Sequence, residues 1–257
     1  SNWDAVWVFV KRQACNQATQ NPWVHADLAA SGHSLSSTSQ LQIDLASDNK
    51  GVFIRRNAAG KGNITQVTVT LTLASAVSTD NIGVYGMEMV NVPQGEFYIG
   101  DGEPNAGPWQ INFTDGNTFN PKLITAAIQT AGIGASSNYS RASSGSSVAL
   151  PSTYPLGYNS FYCMKYEINQ QQMVDYLNTL NYDQQAARLA VWGARYPNVT
   201  NTYFTNASNY RQMIKVATAG TSNTVPAVFG LDNTWNAYIA AGYLNWQDLS
   251  SYLDWSG

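Results

Sequence analysis

The chain has 257 residues, enough for one large domain or two small ones. Hydrophobic residues make up 44% of the chain, which is sufficient for a packed core, while charged residues make up only 11%, less than half of the roughly 25% that is usual. The net charge is −3 and no basic run is longer than Arg55-Arg56, so the composition argues against a nucleic-acid partner. No apolar segment approaches the roughly 20 residues that span a bilayer, so we expect no transmembrane segment.

Most of the polarity comes from Asn, Gln, Ser and Thr rather than from charged residues. A weakly charged polar surface is typical of many secreted and cell-surface β-rich proteins. It also suits a subunit that packs against copies of itself, because few charges must then lose their water. The chain begins with Ser1 rather than Met, as an exported protein does once its signal peptide is removed, or as a trimmed chain does. We therefore expect an extracellular or cell-surface location.

The chain has two cysteines and two histidines. Cys15 and Cys163 are far apart in sequence, and we favour two buried free thiols over a disulfide between them. His25 and His33 lack partners at metal-ligand spacing, so we predict two structural histidines, no metal site and no cofactor in this chain.

Residues 1–85 carry a series of short strand signals separated by turn residues, which predicts a β-sandwich domain. A nearly continuous apolar run over Val6–Lys11 is typical of a strand buried on both faces. The segments 23–28, 41–45 and 52–56 follow, and 65–73 alternates valine and leucine with threonine. That last segment is the cleanest half-buried strand signal in the chain.

A change of pattern at residues 86–102 marks the start of a second domain. Two short apolar runs, 89–92 and Phe97–Ile99, flank Pro93-Gln94-Gly95, which predicts a tight β-hairpin. Residues 103–155 are rich in loop signals. Their Gly/Ser/Ala tract from Ala131 predicts either a mobile surface loop or an arm that a neighbouring molecule orders.

The remaining residues alternate strand and helix signals, so the chain as a whole is predicted to be α+β. A strand over 161–168 leads into a helix over 170–180, where Asn169 and Gln172 form a capping box. Asp183 is expected to cap a second helix that runs to Trp192. After short strands at 212–216 and 225–229, Asn245 is expected to cap a final helix that ends at Trp255.

Three segments resemble formylglycine-generating-enzyme-like (sulfatase-modifying-factor) domains. Met87–Gly100 is similar to the family's opening Met-Val-x-Val-Pro-Gly-Gly-x-Phe-x-Met-Gly segment, and Phe161–Asn169 to its aromatic strand that ends in Glu-Val-Thr-Asn, although the Thr is missing. Leu244–Gly257 is similar to the family's second helix. The resemblance covers about residues 86–257 and implies a C-type-lectin-like fold, incomplete at its C-terminus.

The resemblance carries no catalytic residue over to this chain. The family's calcium-binding loops and catalytic cysteine pair follow the second helix, where this sequence stops, and Cys163 lies in an early strand, so it is not the nucleophile. Calcium is expected only if the C-terminal half of the domain is present elsewhere. We expect either a piece of a longer protein or a half-domain completed by a second chain or by other copies, which would cover Leu249, Leu253 and Trp255.

Three functions fit these observations. The first is a non-catalytic exported structural protein, a subunit of a surface complex or filament. The second is a lectin-like module that binds a ligand or glycan through exposed aromatic residues, and the third is the N-terminal part of a formylglycine-generating-type oxidoreductase. The carboxylates that could act as acid or base in such an enzyme are not spaced in the sequence as a catalytic pair. They are Glu88, Glu96, Asp101 and Glu167. The predicted ligand or interface aromatics are Trp109, Tyr154, Tyr158, Trp235 and Trp255.

Overall fold

The structure is a computed structural model that describes residues 4–15, 22–37, 40–77, 79–99, 121–126, 157–190, 195–205, 212–222, 224–232 and 237–257. Over these residues the chain is mostly β with three short helices, which confirms a mixed, β-rich class. No helix in these ranges is long and apolar enough to cross a membrane. The strands are β1 (Ala5–Ala14), β2 (Val24–His25), β3 (Ser34–Leu35), β4 (Leu41–Leu45), β5 (Gly51–Arg56), β6 (Val69–Thr70), β7 (Asp80–Val92), β8 (Phe97–Ile99), β9 (Lys122–Ile124), β10 (Phe161–Met164), β11 (Ile214–Thr218) and β12 (Val228–Leu231), and the helices are α1 (Gln170–Leu177), α2 (Tyr182–Ala190) and α3 (Trp246–Ser256).

The chain divides into two compact units. The smaller unit contains residues 1–2 and 90–163, and the larger unit contains residues 3–89 and 164–257. The larger unit therefore holds most strands of the predicted N-terminal domain together with all three helices expected after residue 85. The predicted boundary between 1–85 and 86–257 falls inside β7.

The larger unit is built on an antiparallel sheet in which β1 is central. β1 pairs along its whole length with β7, from Ala5 opposite Met89 to Ala14 opposite Asp80, and on its other side with β5. β4 pairs with β5, and β2 pairs with the end of β1, where Lys11 lies opposite His25. The sheet order within this unit is thus β7-β1-β5-β4. A central strand needs apolar residues on both faces, which explains the unbroken apolar run in β1.

One face of this sheet packs against α1 and α3 and forms the main core. Trp7 and Phe9 of β1 lie in a single buried cluster with side chains from α1, α3, β11 and β12. Trp255 of α3 is 8% exposed and contacts the rings of Phe9 and Tyr85, with ring centroids 5.0 and 4.8 Å apart. Strands from the predicted first domain and helices from the predicted second domain therefore share one core.

The opposite face of the sheet carries a second, smaller apolar cluster. Val10 and Val52 are buried there with Ala26 and Leu28. Leu28 forms an isolated antiparallel bridge with Leu73, which brings the 65–73 segment over the sheet. The threonines at 68, 70 and 72 are exposed and the intervening residues are half-buried, as predicted, but only β6 is paired as a strand. The prediction of one continuous strand over 65–73 is wrong, although its alternation is right.

The caps of α1 and α3 are confirmed, and that of α2 is corrected. The side chain of Asn169 accepts a hydrogen bond from Gln172 N, and that of Asn245 accepts one from Asp248 N, each within a full capping box. At α2, Asn181 Oδ1 accepts from Gln184 N at 2.9 Å, whereas Asp183 lies in the first turn. Asn181 rather than Asp183 therefore caps α2. The expected continuation to Trp192 lies outside the described residues.

In the smaller unit, β8 pairs with β9 rather than with β7, so the predicted hairpin across Pro93-Gln94-Gly95 is wrong. The ten pairs that β7 makes with β1 involve Asp80–Met89, and Phe97 lies opposite Ile124 in a separate two-stranded sheet. Ile124 is 1% exposed and packs with Phe97, Ile99 and Tyr158. The Gly/Ser tract that begins at Ala131 lies outside the described residues.

The two cysteines are free, and both are exposed rather than buried. Cys15 follows the last residue of β1, and Cys163 lies in β10. The expectation of free thiols fits the structure, but the expectation that they are buried is wrong. Cys15 stands where β1 leaves the sheet, and Cys163 alternates with half-buried neighbours in β10.

Candidate functional site

The larger unit has an open groove of about 630 Å³ between β7 and the start of α1. We name it the tyrosine groove. β7 and Met164 form one side, and the segments 166–172 and 238–240 form the rest. Its lining residues are Gly86, Met87, Glu88, Met164, Tyr166, Glu167, Asn169, Gln172, Tyr238 and Ala240.

Backbone hydrogen bonds hold the walls of the tyrosine groove in place. Lys165 N donates to Glu88 O of β7 at 2.9 Å, which fixes the segment that carries Tyr166. Gln170 N donates to Ile239 O at 2.9 Å and Ala241 N donates to Ile168 O at 2.7 Å. The segment that carries Tyr238 is thereby bound to the beginning of α1, so the groove is formed before a ligand arrives.

Two tyrosines of the groove are strongly exposed. Tyr166 is 66% exposed and Tyr238 is 88% exposed. A tyrosine ring has a large apolar face and a polar hydroxyl, and burying that face contributes to stability. Tyr238 leaves almost all of this area in water, so packing within the described chain gives no reason for an aromatic residue there.

Charged groups line the same groove. Lys165 Nζ lies 3.3 Å from Asp4 Oδ2, 3.3 Å from Glu88 Oε2 and 5.6 Å from the centre of the Tyr166 ring. Its hydrogen bonds to Asp4 and Glu88 raise the pKa of Lys165. The carboxylates of Glu88 and Glu167 are exposed at the groove, where they can accept hydrogen bonds from hydroxyl groups.

Two side-chain amides add donors to the groove. Asn169 Oδ1 accepts from Gln172 N at 2.8 Å, and Gln172 Oε1 accepts from Asn169 N at 3.0 Å, so the capping box fixes both amides. Their NH₂ groups have no hydrogen-bond partner within the described part of the chain. The groove thus presents acceptors and donors beside two aromatic faces.

The structure does not bring the predicted ligand aromatics together. Tyr158 belongs to the smaller unit, where it is half-buried against Ile124, and Trp255 belongs to the core of the larger unit. The other three, Trp109, Tyr154 and Trp235, lie outside the described residues. Tyr166 falls in the segment 161–168 that is predicted to be a strand, and Tyr238 lies in a short apolar stretch, so sequence patterns give no signal for either as a site residue.

We expect another molecule to cover three apolar residues of the last helix, but this chain itself buries one of them. Trp255 is buried by Phe9, Tyr85, Tyr176 and Tyr252 of this chain, so the expectation that it needs another molecule is wrong. Leu249 is half-buried, and Leu253 is 43% exposed.

The two histidines are not brought together as ligands. His33 Nε2 lies 2.8 Å from Ala29 O, and Thr72 N donates to His33 Nδ1 at 3.2 Å, so His33 has the structural role expected of it. His25 packs beside Phe9, and neither of its ring nitrogens has a partner among the described residues. Within the same part of the chain, no group of three or more His, Cys, Asp or Glu side chains is placed to hold a metal ion.

No family model, no curated protein and no solved structure matches the chain. The resemblance to formylglycine-generating-enzyme-like domains therefore stays a prediction, and so does the C-type-lectin-like fold. The tyrosine groove is thus interpreted from its own chemistry.

Proposed function

We propose that this protein is an exported, non-catalytic module that binds a glycan in the tyrosine groove. The exposure of Tyr166 and Tyr238 on one preformed groove, beside the carboxylates of Glu88 and Glu167, carries the proposal. Pyranose rings have apolar C–H faces that stack on aromatic side chains. Their hydroxyl groups need both donors and acceptors, which the carboxylates and the amides of Asn169 and Gln172 supply.

The charge of the groove favours a neutral or basic sugar. Glu88 and Glu167 contribute two carboxylates, and Lys165 is shared between Glu88 and Asp4. An acidic sugar would meet these carboxylates directly and would be repelled by them. We therefore assign neutral or amino sugars as the ligand class.

Binding of wild-type protein to a glycan array, with and without calcium, tests this proposal. We expect signals for neutral or amino-sugar glycans, no dependence on calcium, and loss of those signals in Tyr238→Ala. A silent array would contradict the proposal, and so would signals that survive in Tyr166→Ala/Tyr238→Ala.

A second candidate function is that of a self-assembling structural subunit, because part of one sheet face is apolar and exposed. Val84 is 64% exposed, and Ile82 and Val6 on the same face are 43% and 39% exposed. They lie on the neighbouring strands β7 and β1, where Val10 pairs with Val84 and Arg12 pairs with Ile82. An exposed apolar area of this kind supports packing against other copies or against a completing chain.

Sedimentation velocity tests the structural role. We expect concentration-dependent association of wild-type protein that Val84→Glu abolishes. Val199→Glu is a matched control, because Val199 is 51% exposed at another place in the same unit. A monomer at all concentrations would contradict self-association.

A further inference from the structure

The larger unit has a second groove, of about 340 Å³, between the end of β1 and the three helices. We name it the Lys11 groove. Its lining combines two cations, one carboxylate and three aromatic rings. The lining residues are Lys11, Trp23, Tyr176, Thr179, Leu180, Gln184, Ala187, Arg188, Ser251, Asp254 and Trp255.

Lys11 is a buried cation without a counter-charge. The residue is only 4% exposed, and its ammonium group has no ion-pair or hydrogen-bond partner among the described residues. Two aromatic rings lie close to it: Nζ is 5.9 Å from the centre of the Phe9 ring and 5.7 Å from that of Trp255. Burial lowers the pKa of Lys11 to about 8, with a further contribution from Lys50. Holding a charge at a mostly buried position without a partner costs free energy, which an anion bound in the groove would offset.

The other charges near Lys11 already have partners. Lys50 Nζ lies 2.6 Å from Asp27 Oδ1, and Arg188 Nη1 lies 3.8 Å from Asp248 Oδ1. Asp254 is on the exposed side of α3, where water screens its carboxylate. One additional negative charge inside the groove would therefore balance Lys11.

Trp255, whose ring lines the groove, also carries a donor without an acceptor. Trp255 Nε1 is fully buried and has no hydrogen-bond partner within the described part of the chain. An indole N–H can only donate, so it needs an oxygen acceptor, as the Lys11 ammonium does. Lys11 Nζ is thus the unmatched donor that a ligand in the groove can reach, and a carboxylate is an acceptor of the matching charge.

The rest of the groove is suited to an apolar body. Trp23, Tyr176 and Trp255 present aromatic rings, and Leu180 and Ala187 add aliphatic area. We propose that the Lys11 groove binds a small aromatic or apolar carboxylate, which accepts a hydrogen bond from Lys11 Nζ while its body packs on the aromatic wall. This site is separate from the tyrosine groove and does not depend on glycan binding.

Titration with benzoate, acetate and sulfate at constant ionic strength, against chloride, tests the proposal. The indole N–H resonance of Trp255, assigned with Trp255→Phe, reports on the aromatic wall of the groove, and the melting temperature reports on binding. At ten times its Kd, benzoate should raise the melting temperature by roughly 3 °C over chloride. We expect acetate to act at higher concentration than benzoate, because it lacks the apolar body.

Lys11→Met keeps the length and apolar stem of the side chain and removes its charge, so we expect it to fold. It should lose the benzoate response, whereas Lys61→Met, which alters an exposed lysine, should keep it. No benzoate effect beyond chloride, or an equal effect in Lys11→Met, would overturn the proposal. A larger effect of sulfate than of benzoate would overturn the carboxylate assignment.

Discussion

The indole Nε1 of Trp7 donates a hydrogen bond to the backbone carbonyl of Ser256 at 2.8 Å, across 249 residues of sequence. The bond is buried and joins the first strand to the end of the last helix. Trp7 is 5% exposed, and its ring also packs against Phe53, with centroids 4.6 Å apart. The N-terminal sheet and the C-terminal helix therefore fold as parts of one unit.

We expect Trp7→Phe to destabilise the protein by about 2–4 kcal/mol, because it removes buried ring atoms and leaves the Ser256 carbonyl without its donor. Urea unfolding followed by circular dichroism measures the change. Val6→Ala, at the exposed neighbouring position, should cost less than about 1 kcal/mol. Equal losses for the two variants would contradict the role of the Trp7–Ser256 bond.

Gln185 is polar, yet we expect it to contribute strongly to the stability of the larger unit. It is fully buried, its Nε2 donates to Leu177 O at 3.0 Å and Ala227 O at 2.9 Å, and its Oε1 accepts from Ala227 N at 2.8 Å. Gln185→Leu should cost about 2–4 kcal/mol, because three buried backbone groups then lose their partner. Thermal unfolding compared with the exposed variant Gln247→Ala checks this, and a loss below 1 kcal/mol would contradict it.

The capping box of α3 is expected to contribute less to stability, and its contribution should depend on which residue replaces Asn245. Asn245 Oδ1 accepts from Asp248 N at 2.9 Å, and Asp248 Oδ2 accepts from Asn245 N at 3.2 Å. Asn245→Ala should reduce the free energy of unfolding by about 1 kcal/mol. Asn245→Ser should reduce it much less, because serine also caps helices well. The same loss for both substitutions in chemical denaturation would argue against the cap.

The protonation of His25 is expected to make the stability of the larger unit depend on pH. Burial and, to a smaller extent, the charges of Lys11 and Lys50 together lower the pKa of His25 to about 4, against the opposite effect of Asp27 and Asp48. Between pH 6.5 and 4 the unfolded chain binds a proton at His25 that the native chain does not. Stability therefore falls as the pH decreases through this window, by on the order of 1–2 kcal/mol once solvent screening is considered.

Urea unfolding at several pH values between 7 and 4 measures this dependence. His25→Phe preserves a ring beside Phe9 and removes the titrating group, so its stability should change less over this range than that of the wild type. The same slope in both proteins would show that other groups cause the dependence.

Local sequence signals predicted much of the secondary structure of the larger unit. The strands predicted from the apolar run of β1 and from Leu41–Leu45, the capping box at Asn169 and the cap at Asn245 each depend on neighbouring residues, and each is confirmed, although β4 is half-buried at all five positions. The pairing partners were not predictable in this way. Pro93-Gln94-Gly95 has turn chemistry, yet β7 pairs with β1 and β8 pairs with β9, because pairing is decided by residues distant in sequence.

The candidate sites were harder to predict than the elements. Tyr238 and Glu88 are 150 positions apart, and backbone bonds between the segments 237–241 and 168–171 help to bring Tyr238 to the groove beside β7. Lys11 lies in an apolar run, where sequence alone does not distinguish an edge lysine from a buried one. Exposure of an aromatic ring and burial of a cation are both properties of the folded chain.

Isothermal titration of the best glycan from the array into wild type, Tyr238→Ala and Tyr196→Ala tests glycan binding in the tyrosine groove most directly. Tyr196 is 55% exposed and does not line the groove, so it is the matched control. We predict that Tyr238→Ala weakens binding roughly tenfold, in line with the loss of one stacking face, and that Tyr196→Ala leaves the Kd unchanged. An unchanged Kd in Tyr238→Ala, or equal weakening in both variants, would contradict glycan binding in the tyrosine groove.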